Sequence, residues 1–278
     1  MYIRKKILFL LPLIFSLTVL SSDIEEIIVK GEYREKSLGE EDSSIVVIQS
    51  EQIKSQAIKH FQQLSHLVPN LNYAASDSRA RYFQIRGIGE RSGYQGTPNS
   101  SVGFLIDDID YSGQGGIATL FDVDQVEVFR GPQGSRSGAN ALAGLIYIKT
   151  KDPTEKFEGT SELTLGDYGT QNIGIAFGGP MQNKKLKYRL VLRTDYADGF
   201  RKNIYLNKSD TSKKDELTLR YKLNWELNET TNLDFLVSKV DMDDPADIWT
   251  IDGSLNTLSD RPGTVSYTHL RAHETQYH

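Results

Sequence analysis

From Glu216 to Leu227 the chain alternates without a slip: Leu217, Leu219, Tyr221, Leu223, Trp225 and Leu227 interleave with Glu216, Thr218, Arg220, Lys222, Asn224 and Glu226. A period of two over this length predicts one long strand with an apolar and a charged face. Ordinary strands average about 5–6 residues, whereas a strand that crosses a bilayer in a barrel needs about 9–11. Tyr188–Tyr196 repeats the pattern more weakly, and Phe157–Leu165, Asn172–Gly178 and Leu233–Val240 are further candidates. Short turns at Gly179–Lys184 and Asn228–Thr231 and a long polar loop at Ala197–Lys214 separate them, the asymmetry expected of an outer-membrane barrel. The same alternation also fits a soluble sandwich with one wet face, and both readings stand at this point.

Upstream the pattern changes. Ser43–Ile48 reads as a short strand, after which Ser50 can cap a helix with Glu51 in its first turn. Ile53, Ala57, Phe61, Leu64 and Val68 share one helical face, and Pro69 stops it. Between Leu71 and Thr150 short strands alternate with glycine-rich turns; twelve of the 23 glycines lie between Gly87 and Gly144. Strands are predicted at Phe83–Arg86, Val102–Ile106, Val126–Phe129 and Leu145–Lys149, with a boundary at Asp152–Pro153. Residues 43–153 therefore read as a compact α+β domain, and 157–265 as the start of an antiparallel β-barrel.

The first 22 residues have their own logic. Arg4, Lys5 and Lys6 precede the uncharged, mostly apolar run Ile7–Leu20, and small residues Ser21 and Ser22 follow. This is a signal-peptide pattern, too short to span a bilayer comfortably, and it predicts export. Residues 23–42 hold a β-prone patch, Ile24–Val29, and then a charged stretch without the apolar mass to fold alone; a flexible linker is expected. A mean hydropathy of -0.42 excludes a polytopic helical membrane protein. Zero cysteines exclude a disulfide scaffold, a thiolate metal site and a Cys nucleophile. The net charge of -5 argues against nucleic-acid binding.

Isolated motifs add little chemistry. Asp108-x-Asp110-x-Ser112-Gly113 resembles the start of a calcium loop, but Thr119 stands where a bidentate Glu belongs. Gly131–Gly138 is glycine-rich without the Gly-Lys-Ser/Thr of a phosphate cradle. His60 and His66, six apart on the predicted helix, cannot face one metal and are expected to be solvated. No nucleophile elbow is present. An enzyme is not expected, and no cofactor or metal site is assigned.

One longer run is specific. Val123–Ile148 reads V-D-Q-V-E-V-F-R-G-P-Q-G-S-R-S-G-A-N-A-L-A-G-L-I-Y-I, a strand, a tight Gly-Pro turn, a small-residue crossing and a second strand. It resembles the plug signature of TonB-dependent outer-membrane receptors. Phe83-Gln-Ile-Arg-Gly-Ile-Gly89 is similar to that family's Ile-Arg-Gly strand. Phe61–Leu71 resembles the helix and Val-Pro-Gly-Leu segment, with Asn70 replacing the glycine, and Phe104–Asp108 resembles the strand ending in Asp-Gly, again without its glycine. Ile24-Glu25-Glu26-Ile27-Ile28-Val29-Lys30-Gly31 is similar to a TonB box.

The resemblance implies an active transporter of the bacterial outer membrane whose plug fills the lumen of a barrel of about 22 strands. The box would hang into the periplasm and pair as an added strand with TonB, which links it to the inner-membrane energising complex. Arg86 and Arg130 would pair with glutamates on the barrel wall. Tyr94, Gln95, Tyr111 and Gln114, on outward loops, would touch a scarce extracellular ligand, an iron chelate by family habit, with cobalamin or an oligosaccharide as alternatives. Outer-membrane lipid is the other implied contact. Five strands cannot close such a barrel, so a fragment is expected. Residues 266–278 abandon the strand pattern, hold three of the five histidines and are set aside as a non-native tail. The rival from another class is a soluble periplasmic binding module built on the plug alone.

Overall fold

The computed structural model describes residues 27–31, 36–74, 79–91, 99–181, 184–200, 207 and 212–244. The predicted signal peptide and the tail from residue 266 lie outside them.

The N-terminal domain is built on a five-stranded sheet of order β3-β8-β9-β6-β7: β3 (Ile45–Gln49), β6 (Val102–Ile106), β7 (Ile109–Asp110), β8 (Val123–Phe129) and β9 (Gly144–Thr150). β8 and β9 are buried almost throughout, as central strands covered on both faces are, and β9 is a near-continuous apolar run. β6 lies parallel to β9; the other pairings in the sheet are antiparallel. Beside it, β4 (Leu71–Ala74) pairs with β5 (Tyr82–Ile85). Phe61, Phe83 and Phe104 meet at the centre of the core, with ring centroids 4.9–5.5 Å apart.

The predicted helix through Val68 is broken. α1 covers only Ser50–Ser55, and after Ala57, whose φ is +52°, a 3-10 helix runs from Phe61 to Leu67. Local capping overrides propagation here. The Nδ1 of His60 accepts from the backbone N–H of Gln62, and the Oε1 of Gln63 accepts from the N–H of His60, so a new start is fixed within the run. Ile58 rather than Ala57 is thereby buried. Gln49, not Ser50, holds the cap position of α1; the Ser50 hydroxyl donates to Glu51 instead. His60 is 3% exposed, which corrects its expected solvation; His66 is exposed.

The second unit is a meander in sequence order: β10 (Glu158–Leu165), β11 (Gln171–Pro180), β12 (Leu186–Ala197), β13 (Lys214–Asn228) and β14 (Thr231–Met242), all antiparallel. β13 has 15 residues and β12 and β14 have 12, lengths suited to a tilted membrane crossing. The faces are inverted relative to a soluble sheet. Arg189, Arg193, Arg220 and Lys222 are buried against the N-terminal domain, while Leu163, Ile173, Leu192, Leu219, Trp225 and Phe235 stand exposed on the outside. A sheet in water turns its apolar row inward; this one turns it outward, which disposes of the sandwich. No helix among the described residues is long and apolar enough to cross a membrane.

Candidate functional site

Two places carry polar chemistry that packing alone does not explain: the seam between domain and wall, and the docking of the N-terminal segment.

At the seam, the period of two aims alternate side chains of β12 and β13 at the domain. The register sets Arg189 directly opposite Lys222 and Val191 opposite Arg220. Like charges facing each other across strands are unfavourable, and each cation takes its own anion from the domain. Arg189 grips Asp122 in a two-pronged pair, Nε to Oδ2 at 2.7 Å and Nη2 to Oδ1 at 2.5 Å, and its Nη1 reaches Glu158 at 2.9 Å. Lys222 lies 3.0 Å from both Asp107 and Asp152 and donates to the Thr150 carbonyl at 3.1 Å. Arg220 donates to the Phe121 carbonyl. The polarity reverses twice, where Lys59 meets Glu162 at 2.7 Å and Arg79 forks onto Glu216 at 2.6 and 2.7 Å. One aromatic contact joins these pairs. The Phe121 ring packs with Ala176 and Val191 beside Gly174, under the guanidinium of Arg193 at 5.5 Å.

Asp107 and Asp122 reach the seam because both occupy left-handed turns, with φ of +46° and +60°. Asp107 also accepts from the N–H and hydroxyl of Thr150, which fixes its carboxylate between domain and wall. Beside this turn and β12–β14 lies a polar cavity of about 550 Å³, lined by Asp107, Lys149, Asp152, Lys187, Lys222 and Asp234 among others.

Of the box-like run, Ile24, Glu25 and Glu26 lie outside the described residues. Ile27–Gly31 do not hang free. β1 (Ile28–Val29) pairs with β2 (Lys36–Ser37), and Val29 is fully buried among Leu105, Phe129, Ala141, Leu145 and Tyr147. The backbone N–H groups of Lys30 and Gly31 donate to Glu127 at 2.7 and 2.8 Å, and the Lys30 ammonium meets Asp124 at 2.8 Å. The segment is short of apolar mass on its own, but a carboxylate and an apolar slot on the domain supply what it lacks. Burial pushes the Glu127 carboxyl above its ordinary value despite these bonds.

Arg86 sits exposed in a turn at φ +54°, its N–H donating to the Asn70 carbonyl. Arg130 is half-buried, and its Nε is sealed from solvent with no hydrogen-bond partner among the described residues. Tyr111 is half-buried and lines a cavity of about 20 Å³ with Ile117, Thr119 and Arg220. Gln114 is exposed one turn on, its N–H donating to the Tyr111 carbonyl. Tyr94 and Gln95 lie outside the described residues. In the calcium-like run, Asp108 is paired with Arg136, and Asp110 accepts from the Ser112 N–H and from Asn140.

Sequence reasoning missed Asp107, Asp122 and Glu127. The signal for Glu127 was present: a carboxylate between Val126 and Val128, in the most apolar stretch of V-D-Q-V-E-V-F, is a buried charge in want of donors. Asp122 carries no such mark, since its partner lies 67 residues away.

Comparison with known proteins agrees with this geometry. Residues 37–145 match the family described as TonB-dependent Receptor Plug Domain. The pesticin receptor of Yersinia pestis is 25% identical over 192 residues, covering 68% of this chain and 28% of that protein. The vitamin B12 transporter BtuB of Vibrio vulnificus is 25% identical over 158 residues, covering 52% of this chain and 26% of its own. The crystal structure of the Pseudomonas aeruginosa outer-membrane ferripyoverdine receptor bound to ferripyoverdine shares the fold. It has a TM-score of 0.63 at 20% identity, over 77% of this chain and 27% of that one. The chain thus spans about a quarter of the length of the relatives it matches. Residues 37–145 of the α+β domain match a TonB-dependent receptor plug, and the five strands beside it share the fold of the barrel wall in such receptors.

Proposed function

We propose that this chain is the plug-bearing part of an active transporter that carries a scarce ligand, most consistently an iron chelate, across the bacterial outer membrane, driven by TonB and its inner-membrane complex. The observation that carries the reading is the inverted wall, with charged residues against the plug and apolar residues turned out to lipid. A soluble periplasmic module would expose that apolar face to water. The names of two relatives bear on the cargo class: a receptor bound to ferripyoverdine and a vitamin B12 transporter. The last keeps cobalamin as the alternative.

In this reading residues 24–31 pair with TonB as an added strand. Arg86 and Arg130 meet wall glutamates further along the polypeptide, a role supported by the unpartnered buried Nε of Arg130. Tyr94, Gln95, Tyr111 and Gln114 contact the ligand. The plug faces the periplasm on its box-bearing side.

The test is uptake of radiolabelled ferric siderophores by cells expressing the full-length gene, with ligand binding measured in parallel. Ile28→Pro should abolish uptake and spare binding, because proline cannot donate to a strand ladder. Unchanged uptake overturns the TonB-box assignment. A gene product that washes off membranes without detergent overturns the transporter reading.

A further inference from the structure

Glu127 makes none of the ion pairs of the seam; its bonds go to the N-terminal segment and to Gln125. Its two oxygens are both spent on backbone: Oε1 accepts from the N–H of Lys30 and Oε2 from the N–H of Gly31. The neighbouring inward side chain completes the grip. The Gln125 carboxamide donates both to Glu127 and to the Ile28 carbonyl, at 2.5 and 2.8 Å. On its other edge the segment is already paired with β2. The groups through which Ile28–Gly31 could add to a foreign strand are therefore taken on both sides, by β2 and by two side chains of β8. The fit is close on the segment's own side too. A Cβ at Gly31 would lie 2.6 Å from the Phe129 ring and 2.7 Å from Glu127 Oε2.

We propose that Glu127, supported by Gln125, is a latch on the N-terminal segment: it holds the backbone of Lys30 and Gly31, and strand pairing by an incoming partner competes with it. The proposal rests on the reading of residues 24–31 as the TonB-pairing strand. Glu127 is a positioning residue, acting on when that strand is available rather than on the ligand. The latch has to be a carboxylate, because only an acceptor with two equivalent oxygens satisfies two successive N–H groups. It also has to meet a glycine, because any side chain at that position meets the Phe129 ring.

The test uses the full-length receptor in outer-membrane fractions. Val29→Cys places a thiol at a site wholly closed while the segment is docked, and this chain has no native cysteine. Maleimide labelling of that thiol, with the parent receptor as background, reads undocking. Binding of the purified periplasmic domain of TonB reads strand availability. Glu127→Gln, which leaves one acceptor where two are needed, should speed labelling by at least about tenfold. It should also tighten TonB binding in the same direction. Gly31→Ala leaves β8 untouched and should speed labelling equally, which keeps the test open if Glu127→Gln does not fold. Labelling that rises in neither variant overturns the latch. Labelling that rises in Glu127→Gln while TonB binds it no tighter than the parent overturns the competition, whereas TonB binding that Ile28→Pro leaves unchanged overturns the TonB-pairing assignment.

Discussion

Asp122 of the plug and Arg189 of the wall form a two-pronged ion pair in which the carboxylate is wholly out of solvent and the guanidinium nearly so. Neither charge has water to fall back on: removing Arg189 strands Asp122, and removing Asp122 leaves Arg189 only its single contact to the half-exposed Glu158. Asp122→Ala should cost about 3–5 kcal/mol, and Arg189→Leu a similar amount. The double variant Asp122→Leu, Arg189→Leu should cost clearly less than the two summed, because no buried charge is left unpaired. A double-mutant cycle on denaturant unfolding of the receptor in micelles measures this. Additive losses would mean that the pair is not coupled.

The aromatic contact at the seam makes a steric prediction. A Cβ at Gly174 would come within 2.7 Å of the Phe121 ring, so the wall strand is shaped around that side chain. Gly174→Val should destabilise plug docking by about 1–3 kcal/mol through overpacking. Phe121→Ala in the Gly174→Val background should then cost less than Phe121→Ala alone, since the valine occupies part of the vacated space. Limited proteolysis of the plug in the assembled receptor reports both effects, and equal costs in the two backgrounds would refute the packing account.

Much of this was legible before the structure, and the reasons differ by element. β12 and β13 were readable because a period of two over twelve or more residues has no helical counterpart. Which face meets lipid was not readable, because alternation is the same for an inverted sheet as for a soluble one. The break between α1 and the 3-10 helix was hidden by an apolar spacing that fits one continuous helix. What breaks it is a pair of side-chain caps at His60 and Gln63, decided by tertiary burial of Phe61 and Leu64. The seam within this chain was not foreseen for a related reason. Arg86 and Arg130 were chosen by resemblance, while the pairs made within this chain use Asp107, Asp122 and Asp152 against wall cations. Sequence alone does not bring together partners 67 to 115 positions apart.

The two glycine departures noted in the sequence both fall on left-handed residues: Asn70 has φ +62° and Asp108 φ +70°. Asn and Asp are the side chains that tolerate this region best, so the backbone turn survives without glycine. Asn70 is exposed, which makes it the cleaner test. Asn70→Gly should leave stability within about 0.5 kcal/mol, relief of strain offsetting a more flexible unfolded chain. Asn70→Val should lose about 1–2 kcal/mol, since a β-branched residue is an outlier at positive φ. Paired denaturation curves decide; a valine variant as stable as the parent would show that the turn does not require this conformation.

His60 gives the plug a pH dependence. The Nδ1 accepts from the Gln62 N–H at 3.2 Å, so by network inference the proton sits on Nε2, which donates to the Gly116 carbonyl at 2.9 Å. Both ring nitrogens are satisfied by the neutral form alone. Burial, and then the charge of Arg79, push its pKa well below the ordinary histidine value of 6.5. Below pH 6.5 the unfolded chain therefore takes up a proton that the folded plug refuses. The contribution of His60 to stability is complete above that pH and falls away as the pH drops, by up to about 1.4 kcal/mol per unit. Other groups titrate in the same range, so the parent is compared with His60→Gln, which keeps polarity and removes the titration. Unfolding free energies between pH 7.5 and 5 should converge as the solution is acidified, the parent losing stability faster. Parallel curves for the two proteins would show that His60 is protonated without penalty in the folded plug and that its burial is not what holds the 3-10 helix against the Gly116 loop.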